Sequence, residues 1–404
     1  MNRTRALALV LVVATLAGGA VGASRAAASA ERADAAARAR GDRVALDQDV
    51  AFFEQRVAAD PIGAADRGRL AALYLQRGRE TGDFADYRRA EDWAGHSLAL
   101  RVAHNAGAYV VLASALLAQH RFTEALAAAR ALNARDPDVP SHQALLAEIE
   151  LELGRYDAAR VLFDSLARTP PPHDLAIAPR LARWAELTGR TDVARRLLEH
   201  ALADAQASRE LPREQLAWFY LRVGDFDLRH GRLAQADYAL RAGLTVFPGD
   251  YRLLAALARL EAARGHWQRA IAYGQDAIAA VPDPATFGVI SDAYTALDDT
   301  LNAAQYAKAM EVAVLGQPGQ WHRAWSLFLL DHNRRVPEVL ARVQAELATR
   351  RDVYGYDLLA WALHRAHRDH EARVAMVRAL ALGTDDPQLR AHAAAIDSAL
   401  AQSR

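Results

Sequence analysis

The feature that most constrains this chain is a period of 34 residues. With Gly154, Gly189, Gly231 and Gly265 placed at position 15 of the frame, small residues, aromatics and prolines fall into register over most of the sequence. The resulting units run 106–139, 140–173, 175–208, 217–250, 251–284, 285–318, 319–352 and 353–386, the last five without a gap. Position 20 carries Ala125, Ala159, Ala194, Ala236, Ala270, Ala304, Glu338 and Ala372. Position 8 carries Ala113, Ala147, Ala182, Gly224, Ala258, Asp292, Ser326 and Ala360. Two antiparallel helices approach closely only where neither presents a bulky side chain, so these positions mark crossings within a helical hairpin. Pro137, Pro171, Pro248 and Pro282 at position 32 end the second helix, because proline cannot continue the backbone ladder.

Composition agrees with helix. Ala, Leu and Arg are abundant and β-branched residues few, which predicts an all-α chain with almost no strand. Lys plus Arg and Asp plus Glu stand at 49 each, without the one-sided basic field that nucleic-acid binding needs.

The pattern resembles the tetratricopeptide repeat family, which has small residues at 8, 20 and 27, Gly before an aromatic at the turn, and Pro at 32. Leu153-Gly154-Arg155-Tyr156-Asp157-Ala158-Ala159 and Arg264-Gly265-His266-Trp267-Gln268-Arg269-Ala270 match the family turn closely. The resemblance implies a right-handed superhelical solenoid of antiparallel helix hairpins. Two units depart from the pattern. Unit 285–318 has Asp292 at a packing position, and unit 319–352 has Glu338 and lacks the turn glycine.

The segments outside the units can be read in turn. Residues 1–23 read as an export signal, with Arg3 and Arg5 before the apolar run Ala6 to Ala17 and cleavage expected after Ala23; an uncleaved membrane anchor is the alternative. With no Cys, the chain is neither a lipoprotein nor disulfide-stapled. Residues 24–46, a spacer or a frayed helix with no evident apolar face, read as a linker. Residues 47–105 read as a capping helix, with Val50, Phe53 and Val57 on one face, followed by an irregular hairpin. Three repeats (106–208) and five repeats (217–386) flank an insertion, 209–216, in which Pro212 is placed to open an extended helix. Residues 387–404 read as a C-terminal cap, carrying Leu389, Ala393, Ile396 and Leu400 on one face.

Stacked hairpins create a concave surface. In the family it is lined by positions 2, 5, 9, 12 and 13, which implies a partner-binding groove of Arg183, Trp218, Leu221, Arg229, Arg252, Arg259, Tyr354, Asp357, Trp361 and Arg365 here. Glu186, Leu187, Asp225, Leu228, Ala255 and His364 fall at further lining positions. Aromatics with Arg suit protein or peptide recognition. The Lys and Asn clamp that some members use for a carboxylate is absent from these positions, although Arg can bind carboxylates by another geometry. His364, His367 and His370 are weak metal candidates, since a polar turn needs no metal to explain them. No Gly-rich phosphate loop, zinc-protease motif or nucleophile elbow is present. The expectation is a non-catalytic, cofactor-free, exported scaffold that binds a protein or peptide. The alternative is an accessory of an assembly or transport system that holds metal or a small ligand through the C-terminal histidines.

Overall fold

The computed structural model describes residues 34–168, 175–316 and 323–402; the expected signal segment and Pro171 lie outside them. The described residues form twenty helices and no strand. Helix α1 spans 34–59, and α2 (Ala64–Thr81) and α3 (Phe84–Leu100) form the first hairpin. Then come α4 (Ala106–Ala118) with α5 (Phe122–Arg135), α6 (Pro140–Glu152) with α7 (Tyr156–Arg168), and α8 (Ala178–Leu187) with α9 (Thr191–Ala207). The second block pairs α10 (Arg213–Arg229) with α11 (Leu233–Val246), α12 (Tyr251–Ala263) with α13 (Trp267–Ala280), and α14 (Pro284–Ala296) with α15 (Thr300–Leu315). It ends with α16 (Arg323–Asp331) and α17 (Val336–Glu346), then α18 (Val353–Arg365) and α19 (Asp369–Ala379), before the last helix α20 (Pro387–Gln402). Each hairpin packs within itself and stacks on the next, as in a solenoid.

The alanines at positions 8 and 20 are buried at the crossings, among them Ala113, Ala147, Ala258, Ala125, Ala159, Ala236 and Ala372. At Gly224 a Cβ would sit 2.6 Å from Leu240 Cδ2, so even alanine would crowd that crossing. The turn at position 15 is left-handed in seven of the eight units. Gly154, Gly189, Gly231 and Gly265 have φ of 72 to 73°, while His120, Asn333 and His367 reach 58, 54 and 59° without the freedom of glycine.

The two irregular repeats are changes of register. In unit 285–318 the left-handed residue is Asp298, one position early, and both helices start one residue sooner than the frame requires. Ser291 and Ala303 therefore occupy the crossing and are buried, while Asp292 and Ala304 face outward. In unit 319–352 the first helix keeps its frame, with Ser326 buried. A second left-handed residue, Arg335, then delays α17 by one position, so Val339 and not Glu338 packs inward.

The linker reading changes for 34–46, the part of 24–46 that lies within the described residues. Residues 34–46 continue into α1, and the small side chains of Ala35 and Ala39, with Leu46, make the buried face that hydropathy did not reveal. Ala39 packs with Leu240 and Phe247, Arg43 lies over the Phe247 ring at 5.1 Å, and Asp42 pairs with Arg213 at 2.9 Å. As expected, α1 ends at 59 before Asp60-Pro61, and α10 begins just after Pro212. Helix α20 buries Leu389, Ile396 and Leu400 against the last repeat.

The solenoid closes on itself. The peptide N–H of Val353 donates to Tyr156 Oη, 197 residues earlier, at 2.6 Å. Arg350 Nε donates to the Glu152 carbonyl, 198 residues earlier, at 2.9 Å. Glu214, supplied by the insertion, is buried where it pairs with Arg252 at 2.8 Å and lies 3.8 Å from Arg79. One superhelical turn thus lands on the next after nearly six repeat lengths, and the concave surface becomes an interior.

Candidate functional site

First helices from two separated runs of repeats, α6, α8 and α10 on one side and α16 and α18 on the other, meet in that interior around a cavity of about 620 Å³. Its wall includes Glu148 and Glu152 of α6, Arg180 and Arg183 of α8, Trp218, Arg222 and Arg229 of α10, and, from the later turn, Arg323, Tyr354 and Gln388. The volume falls within the range of ligand sites, while the wall is far richer in charged side chains than most such sites.

Most of the charges are paired. Arg180 donates to Glu148 at 2.7 Å, Arg183 to Tyr354 Oη at 2.9 Å, and Arg323 to Asp357 at 2.7 Å. Arg229 grips the buried Glu186 with both Nη2 and Nε, at 2.9 and 3.1 Å, and His230 Nε2 lies 3.3 Å from the same carboxylate. Burial pushes the Glu186 carboxyl up, but the His230 hydrogen bond and the charges of Arg229 and Arg183 overcome this and hold it at about 2. Glu152 is raised by burial, which the charges of Arg183 and Arg350 only partly offset. Burial also pulls the Arg183 guanidinium down, yet the Tyr354 oxygen, Glu152 and Glu186 leave it above its ordinary value. Arg222 is lowered, first by burial and then by the charges of Arg229 and Arg183.

Of the ten groove residues expected from sequence, Arg183, Trp218, Arg229 and Tyr354 line this cavity together. The others do not join them. Leu221 is buried in the core with Leu240 and Leu257, and Leu187 is likewise internal, so neither is a contact surface. Asp357 is fully buried, because α20 covers it and His392 Nδ1 lies 2.7 Å from it. Arg252 is committed to Asp250 at 2.6 Å and to Glu214. Arg259 pairs with Asp225 at 2.9 Å. Trp361 stacks on His392 at 4.2 Å, donates Nε1 to Asp331 at 2.8 Å, and has Arg365 over its ring at 5.8 Å. Leu228 is partly buried beside the Leu221 core.

The histidine cluster does not converge. His364 Nδ1 is 2.5 Å from Asp369, His367 occupies the left-handed turn, and His370 is exposed. Among the described residues no three His, Asp or Glu side chains are arranged to hold a metal ion.

Sequence reasoning missed Glu148, Glu152, Arg180, Arg222 and Arg323. Glu148 and Glu152 sit at lining positions 9 and 13 of unit 140–173, so the frame itself could have found them. Arg180 and Arg222 share position 6, which reaches the cavity because the coil is tight enough to close over it. No periodicity in one repeat reports that.

The tetratricopeptide repeat model matches residues 110–174 and 224–284. No curated protein matches the chain in sequence. Among solved structures, the chain is similar to the crystal structure of the APC/C hetero-tetramer Cut9–Hcn1, with a TM-score of 0.51 and 15% identity over 82% of this chain and 63% of that one. The chain therefore spans less than two thirds of that relative's length. It is also similar to a human IFIT1 dimer with PPP-AAAA, with a TM-score of 0.53 and 14% identity over 80% of this chain and 73% of that one. At such identities the likeness is one of fold.

Proposed function

We propose that this chain, a tetratricopeptide-repeat protein, is a non-catalytic scaffold that holds a protein or peptide partner in the interior of its closed coil. The observation that carries this reading is the cavity of about 620 Å³, where two superhelical turns bring Arg183, Arg222, Arg229, Trp218 and Tyr354 together. Aromatics and Arg supply most of the contact energy in recognition, and a preformed rigid wall lowers the entropic cost of binding. Balanced charge argues against nucleic acid as the partner.

Affinity capture from the producing cell with the Trp218→Ala, Arg180→Ala double variant tests the assignment. Loss of a partner that the unaltered chain retains, in a variant with unchanged helical circular dichroism, is the expected result. Full retention of that partner overturns the interior as the binding surface.

Export belongs to the same proposal and rests on Arg3, Arg5 and the apolar run that follows them. The mature chain should begin at Ser24; an N-terminal sequence starting at Met1 in the purified cellular protein overturns cleavage.

A further inference from the structure

Every acid on or behind the cavity wall is already committed. Glu148 faces Arg180, Glu152 faces Arg350, Glu186 faces Arg229, Asp225 faces Arg259 and Asp357 faces Arg323. Asp386 accepts from the peptide N–H of Gln388 at 2.9 Å and so caps α20. Arg222 is left over. Among the described residues its guanidinium has neither a carboxylate partner nor a hydrogen bond, and its Nε is buried without an acceptor. The Nε of Arg323, on the opposing turn of the same cavity, is orphaned in the same way.

Arg222 is half-buried, and the Asp225 and Glu186 carboxylates attract it without touching it; donors held partly out of water with no direct partner are costly, and an arginine cannot escape the cost by losing its proton. The positive charges of Arg183 and Arg229 add to the cost, since Glu186, which Arg229 grips and His230 and Arg183 also approach, and Glu152 offset them only in part. An anion entering the cavity relieves this directly. The planar guanidinium offers paired N–H donors that match a carboxylate or phosphate edge. Trp218, whose ring centroid lies 5.8 Å from the Arg222 guanidinium carbon, provides a flat apolar surface beside that edge.

We propose that the cavity is an oxyanion site in which Arg222 receives the carboxylate or phosphate group of a ligand lying against Trp218, with walls from both superhelical turns. This rests on the interior being the binding surface proposed above, and it specifies the chemistry of what enters. It differs from a groove contact within one repeat, because α8, α10, α16, α18 and α20 all line the space. A ligand seated there therefore also ties the two turns together.

The test is calorimetric titration of the purified full chain with sodium phosphate, with sodium acetate, and with trialanine bearing a free or an amidated C-terminus. Melting temperatures are recorded alongside. Saturable one-site binding of an oxyanion probe is expected, weakened about tenfold or more in Arg222→Gln and less in Arg222→Lys, as befits the loss of a charge-assisted bond. Phosphate binding without acetate or peptide binding assigns a phosphate group. Preference for the free over the amidated peptide assigns a carboxylate. Absence of saturable binding by every probe, or undiminished binding in a folded Arg222→Gln variant, overturns the site. The two readings fail separately. Partner capture that depends on Trp218 without any oxyanion binding sinks only the oxyanion site, and oxyanion binding with partner capture indifferent to Trp218 and Arg180 sinks only the scaffold reading.

Discussion

The turn glycines of the two repeat blocks share a conformation but not a setting. Gly154 and Gly189 in the first block and Gly231 and Gly265 in the second all sit at φ of 72 or 73°. Around Gly231 and Gly265 a Cβ would meet nothing within 4 Å. At Gly154 it would sit 2.3 Å from the Arg351 carbonyl oxygen, and at Gly189 2.3 Å from that of Gly383. One local motif therefore does one task in the second block and two in the first, where the bare Cα also lets the next superhelical turn approach. Gly82, at the end of α2, does the same against Val281. A recurring turn residue is thus a poor guide to how much the fold depends on it.

The largest expected effect breaks this contrast at its sharp end. Gly154→Ala and Gly189→Ala combine the left-handed penalty with a clash against backbone that cannot rotate away. Each should cost about 3 to 5 kcal/mol in urea denaturation. A loss of about 1 kcal/mol at either site would show that the turns separate easily and that the coil is not held closed.

A smaller effect is expected in acid, where the buried pairs beside the closed turns titrate. The Glu186 carboxyl is held at about 2 in the folded chain, below its ordinary value, so its contribution is complete above about pH 4.5 and is lost as pH falls towards 2. Up to roughly 3 kcal/mol should disappear across that window, and Glu186→Gln should flatten that part of the acid limb while lowering stability at neutral pH. An acid limb of equal slope in the variant would assign the acid sensitivity elsewhere.

The smallest effect lies at the open end of the comparison. Gly231→Ala and Gly265→Ala face only the left-handed backbone cost and should lose about 1 kcal/mol each. Equal losses at all four glycines would erase the distinction between the blocks.

Much of the fold was legible. The 34-residue frame placed the hairpins and their small-residue crossings, because each depends on residues a few positions apart. It erred where one residue shifts the register. A strict 34-residue spacing puts Asp292 at a packing position, whereas the backbone turns left-handed at Asp298, one residue early, and brings Ser291 inward. The buried face of α1 before residue 47 is likewise not legible, since an alanine face such as Ala35 and Ala39 has too little apolar area to stand out from solvent-facing helix.

The cavity was only half legible. Arg183, Trp218, Arg229 and Tyr354 followed from repeat positions, each within its own hairpin. Which of the expected groove residues are covered, as Asp357 is by α20, depended on packing between elements. By itself the sequence determined the helical hairpin, its period and its turn chemistry, all of which are short-range. Only the tertiary structure decided that a segment returns after 197 residues to seat Val353 on Tyr156. Small rotations between hairpins add up along a solenoid, and only their sum sets whether the coil closes and leaves Arg222 facing a space instead of a partner.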